Sequence, residues 1–109
     1  MRATIRLASP ADQQAQLDDW LARPSNGLRV VVAESGLVPL QAPDDVPLAR
    51  LAPGCVCCVG QVPLRVTLTR TVRAHRPHEV LLLLATPDHL PRVRALLEDG
   101  SLGVPFEVE

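Results

Sequence analysis

Two unbroken apolar runs limit the fold most. Val30-Val31-Val32 lies inside Leu28–Ala33, and Leu81-Leu82-Leu83-Leu84 lies inside Glu79–Ala85. A strand with one wet face alternates apolar and polar residues. A run without alternation suits a strand covered on both faces, the condition of a parallel sheet sandwiched between helices. The longest apolar run, Val80 to Ala85, is far too short to span a bilayer.

The rest of the chain alternates around these two runs. Residues 3–8 read as a short strand. Ser9 then serves as a cap, Pro10 as the first helical residue and Asp12 as a capping-box acid, opening a helix that reaches about Ala22 with Leu17, Trp20 and Leu21 on one face. Gly36 to Pro47 is a proline-rich loop, and Leu48 to Ala52 a short strand. A second helix opens at Val62-Pro63 and runs to about His75, burying Leu64, Leu68 and Val72, with Arg65, Arg70, Arg73 and Arg76 on wet faces. Pro77 ends it. Thr86-Pro87-Asp88 starts a third helix that buries Leu90, Val93, Leu96 and Leu97 and stops at Gly100. Val104, Phe106 and Val108 alternate with polar or proline positions, a last strand with one wet face. The expectation is one α/β domain over residues 1–109, a mainly parallel sheet with flanking helices.

Composition removes several functional classes. Every basic side chain is Arg: the 11 Lys+Arg residues include no lysine. Schiff-base chemistry and the lysine of a phosphate-binding loop are therefore absent. With a net charge of −1 and no basic block, nothing argues for a polyanion partner, and with no Tyr and a single Trp and Phe a base-stacking surface is nearly impossible to build. No nucleic-acid or membrane partner is expected. Met1 to Arg6 has no apolar signal core, so a cytoplasmic protein with reduced thiols is expected.

All 3 cysteines fall in Gly54-Cys55-Val56-Cys57-Cys58. Soft thiolates packed into so short a loop suit zinc or copper(I). In a parallel sheet the loops leaving the strands' carboxyl ends share one rim, where ligands bind. The loop after Ala33 (Glu34, Ser35), the cysteine loop and the loop after Ala85 (Thr86, Asp88, His89) would all open there. His75 and His78, which precede a strand, belong on the opposite rim. A fourth ligand would come from Glu34, Asp88 or His89, with His89 the better placed of the histidines.

Gly54-Cys55-Val56-Cys57-Cys58 resembles the GCxCC signature of the CobW-type P-loop GTPases, a family of metallochaperones and metal-insertion proteins. The resemblance covers residues 3–99. Arg29 to Gly36 is similar to the family's second strand and Asn-Glu-Phe-Gly switch segment, and His78 to Pro91 to the segment carrying Glu-Thr-Thr-Gly and a proline. It implies a P-loop-GTPase-like (Rossmann-like) three-layer half domain. Where the family has Gly-Phe-Leu-Gly-Ala-Gly-Lys-Thr-Thr, this chain has Leu7 to Ala15, with Gln13 in place of the lysine, Gln14 in place of the magnesium-binding hydroxyl, and Asp12 where triphosphate would sit. Leu84 replaces an acidic residue, and Val32 and Leu37 stand where acids flank the family's switch segment. The expectation is thus a short, divergent member with a degenerate nucleotide site. It binds no nucleotide and is not an enzyme. It carries or senses a soft metal, zinc first, through Cys55, Cys57 and Cys58 with Glu34 or His89.

Two other classes stay open. A scaffold or interaction protein with vestigial cysteines could form a homodimer through the C-terminal strand. A thiol redox protein would need a resolving cysteine, and Cys55-Val56-Cys57 is tighter than the usual Cys-x-x-Cys spacing. Asp44-Asp45 reads as a solvated turn and Asp18-Asp19 as the wet face of the first helix.

Overall fold

A computed structural model describes residues 2–25, 27–34, 39–50, 62–85, 87, 90–98 and 107–108, without the side chains of 62–65, 92 and 96. The elements are β1 (Arg2–Leu7), a 3-10 turn (Pro10–Asp12), α1 (Gln13–Leu21), β2 (Arg29–Ala33), β3 (Leu48–Arg50), α2 (Val62–His75), β4 (Glu79–Leu84), α3 (Leu90–Glu98) and β5 (Glu107–Val108). The strands form one five-stranded sheet in the order β3-β2-β4-β1-β5. Every pairing is parallel. This is a Rossmann-like, P-loop-like α/β layout.

The two apolar runs lie side by side at the centre. Val30, Val31 and Val32 pair with Val80, Leu81 and Leu82, and all six are at most 1% exposed. Each run supplies both faces of the sheet. Val30, Val32, Val80, Leu82 and Leu84 pack with Ala3 against Leu68 and Val72 of α2 and Val93 and Leu97 of α3. Val31, Ala33, Leu81 and Leu83 pack against Leu17 and Trp20 of α1 and against Leu40 and Val46 of the segment before β3. Three layers result, with no strand face left to water at the centre, which is why neither run could alternate.

The start of α1 departs from the capping-box expectation. The Ser9 side chain caps no helix N–H. Its Oγ donates instead to Asp12 Oδ2 at 2.9 Å, and Asp12 N–H donates to Ser9 O at 2.8 Å. With the hydroxyl spent on the carboxylate, the chain makes a tight 3-10 turn and the α-helix begins at Gln13. The end of α2 follows the expected stop at Pro77. Arg76 takes a left-handed φ of 46°, and its N–H closes onto Val72 O at 2.9 Å. Asp44 and Asp45 form an exposed turn, as expected. Asp18 and Asp19 are exposed, but both are engaged: Gln14 Nε2 donates to Asp18 Oδ1, and Arg6 Nη1 meets Asp19 Oδ2 at 2.8 Å. Most of the expected C-terminal strand lies outside the described residues. Its Glu107 and Val108 pair with Arg2 and Ala3 of β1.

Candidate functional site

The direction of the connections locates the crevice of the sheet. β1 leaves toward the α1 face, and β2 leaves toward the same face through Leu40 and Val46. β4, which lies between them, leads to α3 on the other face. Neighbouring strands that exit to opposite faces open a crevice at their carboxyl ends, where α/β proteins bind ligands. Here that crevice is centred on the exit of β4.

Backbone and side-chain hydrogen bonds stitch these exits together. Ala8 N–H donates to Leu84 O and Glu34 N–H to Leu83 O, both at 2.9 Å, tying the exits of β1 and β2 to β4. Gln13, the first residue of α1, reaches across. Its Nε2 donates to Ala8 O at 3.2 Å and to Glu34 O at 3.1 Å. Glu34 completes the seam, its Oε1 accepting Ala85 N–H at 3.0 Å. Gln13 is 0% and Glu34 1% exposed, so the seam is buried rather than a surface bridge. A buried amide and a buried carboxylate are tolerated because the sheet's terminal N–H and C=O groups, which have no further ladder partner, need them.

Among the expected ligands, Glu34 is the one described. It stands on the carboxyl rim as the sequence placed it, and its carboxylate is oriented by Ala85 N–H. Cys55, Cys57, Cys58, Asp88 and His89 lie outside the described residues. The strand that leads to the cysteines can be traced: β3 runs parallel to β2 with Arg50 opposite Ala33, so the chain leaves β3 on the rim that carries Glu34. Among the described residues no three His, Cys, Asp or Glu side chains gather in a way that could hold a metal. His75 and His78 are exposed on the amino-terminal rim, as expected. There His78 N–H donates to Leu28 O at 2.8 Å, joining the start of β4 to that of β2.

Sequence reasoning gave Gln13 a place but no task. It read the residue as the stand-in for a missing lysine, whereas the side chain acts on the protein's own backbone. The signal was faint: a glutamine just inside a proline-opened helix, directly after a strand. Arg29 was missed altogether. Its guanidinium stacks over Trp20, 5.3 Å from the ring centroid, and donates to Trp20 O, Leu21 O and Arg23 O, covering the last carbonyls of α1.

A small cleft of about 240 Å³ lies on that same amino-terminal rim, between Ser25, Gly27, Leu28 and Arg29 on one side and Asp45 and Val46 on the other. It is remote from the crevice and from the exit of β3. Among the described residues, no helix is long and apolar enough to cross a membrane. The chain's class is therefore set by fold alone, a three-layer parallel α/β domain with a polar seam across its ligand rim. Comparison with protein-family models, with curated proteins and with solved structures returns no match.

Proposed function

We propose that this chain is a non-catalytic, CobW-like domain that carries or senses a soft metal ion, zinc first, through the thiolates of Cys55, Cys57 and Cys58. Glu34 or His89 completes a tetrahedral set. The observation that supports this reading most is the register of β3 on β2. It sends the chain into the cysteine segment from the rim on which Glu34 stands. Three thiolates and a carboxylate or imidazole suit zinc by softness and by charge. Zinc in such a set has no redox role, which fits carriage or sensing.

The loss of nucleotide chemistry rests on Gln13. Both N–H groups of its amide are spent on Ala8 O and Glu34 O, so neither can serve a phosphate oxygen. Asp12 adds a carboxylate at the start of α1, where a triphosphate would need positive potential. We therefore infer that the chain neither binds nor hydrolyses GTP. Elemental analysis of the protein as isolated, followed by zinc titration against a competing chelator, tests the metal reading. One equivalent of zinc held tighter than micromolar, and lost in a Cys55→Ser, Cys57→Ser, Cys58→Ser variant, is the expected result. Equal zinc binding by that variant removes the proposal.

A second reading is a scaffold that pairs with another copy through β5. It is favoured by one observation: β5 closes the sheet beside β1 and lies at the edge of the strand order. Sedimentation distinguishes the two, since a monomer at every concentration rules out the pairing.

A further inference from the structure

We propose that the solvent face of α2 docks a second copy of this chain, meeting the acidic surface formed by α1 and the Asp44-Asp45 turn. This inference does not rest on the metal reading. It begins from a helix whose charge is all of one sign: Val62–His75 contains Arg65, Arg70, Arg73 and His75 and no acidic residue. Leu68 and Val72 turn one side of α2 into the core. The opposite side carries Val66, Arg70 and Arg73, all exposed and spaced four and three residues apart, so they form one stripe. Among the described residues neither guanidinium has an ion pair or a side-chain hydrogen bond. The positions one turn further on hold Ala74 and Pro77, whereas in α3 Arg94 finds Glu98 there at 3.1 Å. The helix dipole accounts for Arg73 and His75 in the last turn, but not for Arg65 in the first turn or Arg70 in the middle. Arg70 and Arg73 stand at a spacing where like charges repel, which an opposed anionic surface would relieve. Val66, 43% exposed, adds an apolar contact to the same stripe.

The complementary surface lies on the other side of the sheet. There α1 and the segment carrying Leu40 and Val46 pack together. Gln14 joins them, its Nε2 donating to Gln41 O at 2.9 Å and its Oε1 accepting Gln41 N–H at 2.8 Å. Asp18 of α1 and Asp44 and Asp45 of the turn are exposed on this side. Among the described residues none of the three is paired with a cation, and Asp18 accepts the neutral amide of Gln14. The nearby cations are engaged: Arg6 meets Asp19, and Arg23 at the end of α1 has a partner of its own. The chain is thus polarised across its sheet, cationic on α2 and acidic on α1, although its net charge is only −1. A foreign acidic partner would account for the α2 face alone, whereas a second copy accounts for both. The two surfaces differ, so the contact is heterologous, α2 of one copy on α1 of the next, unlike a pairing of β5 with itself. Guanidinium–carboxylate pairs set its orientation.

The test uses the full chain with a reductant and a chelator, so that neither zinc nor a disulfide links the copies. Sedimentation velocity is run over a concentration series at low and high salt. It compares the natural chain, an Arg70→Glu, Arg73→Glu variant and an Asp18→Arg, Asp44→Arg, Asp45→Arg variant, each checked for folding by Trp20 fluorescence on heating. The natural chain is expected to associate as concentration rises, at least about tenfold more weakly at high salt. Each variant alone is expected to stay monomeric, because its two faces no longer attract. An equimolar mixture of the two variants is expected to regain association, since the reversed faces suit one another. A natural chain that stays monomeric at low salt overturns the proposal. If that monomer binds an oligoglutamate peptide and the Arg70→Glu, Arg73→Glu variant does not, the α2 face belongs to an acidic partner of another kind. Association that ignores salt, or that survives Arg70→Glu, Arg73→Glu, also overturns the proposal and points to β5. So does a mixture that fails to regain association. Should a variant not fold, Arg70→Gln, Arg73→Gln, which removes the charge and keeps good helix formers, replaces it: undiminished association overturns the proposal, and a tenfold loss upholds it.

Discussion

The side-chain amide of Gln13 donates to the backbone carbonyl of Glu34 across 3.1 Å, joining the first turn of α1 to the residue that follows β2. The two are 21 residues apart, and the bond is buried. With the bond from the same amide to Ala8 O, it ties the loop after β1 to the exit of β2. The carboxylate of Glu34 extends the link to Ala85. Three strand exits are thus held by two side chains.

Gln13→Glu should be more damaging than Gln13→Met. Methionine withdraws two donors from Ala8 O and Glu34 O, but it also removes the unpartnered Oε1. The net loss should be about 1–2 kcal/mol. Glutamate keeps the shape and sets a carboxylate oxygen against two carbonyl oxygens in a buried site, for about 3 kcal/mol at neutral pH. Urea unfolding of the three proteins measures the order. If Gln13→Glu proves as stable as the natural chain, the seam does not exist in solution.

Arg29→Met should cost about 1–2 kcal/mol, because the last turn of α1 loses its donor to Trp20 O, Leu21 O and Arg23 O and the indole loses its cation. Arg29→Lys should recover less than half of that. A single ammonium cannot serve carbonyls spread over three residues as a planar guanidinium can. Trp20 is the chain's one tryptophan, so its fluorescence reports both the loss of the stacked cation and the unfolding midpoint.

These two sites show where sequence reading ends. The central strands were legible because burial on both faces leaves a direct mark, an apolar run that never alternates. The start and end of α2 were legible too, because Pro63 and Pro77 restrict the backbone locally. Neither the seam nor the α1 cap leaves such a mark. Gln13 meets Glu34, and Arg29 meets Trp20, through the crossover from β1 to β2, and a long-range polar contact has no period to read. The capping box at Ser9 failed for a related reason. Spacing allowed two uses of the hydroxyl, and only the conformation shows that Asp12 takes it. The place of Glu34 on the rim followed from strand direction alone.

Gly27→Ala should destabilise the amino-terminal rim. A Cβ at Gly27 would stand 2.6 Å from His78 Cβ, closer than two carbons can approach without movement. The backbone here is also pinned, since His78 N–H and Glu79 N–H both donate to Leu28 O. A loss of about 1–3 kcal/mol is expected. The nature of the clash makes the prediction specific. His78→Ala retains the offending Cβ and should not rescue Gly27→Ala, whereas His78→Gly should. A double-mutant cycle by thermal unfolding reads the difference as a coupling between the two positions.

Arg76→Gly should stabilise the protein. Arg76 follows the last residue of α2 with a φ of 46°, a left-handed conformation that an L side chain adopts at a cost and glycine adopts freely. The closing bond from Arg76 N–H to Val72 O is a backbone bond and survives the substitution. Pro77 still prevents the helix from continuing, so the unfolded chain gains only one flexible residue. The relief at φ should exceed that entropy and leave a gain of about 0.5–1 kcal/mol. Arg76→Ala is the control, for it removes the exposed guanidinium and keeps the Cβ. Its stability should match that of the natural chain or fall slightly below it. If alanine stabilises as much as glycine, the gain comes from removing charge beside Arg73 and His75, and the left-handed cap is not strained.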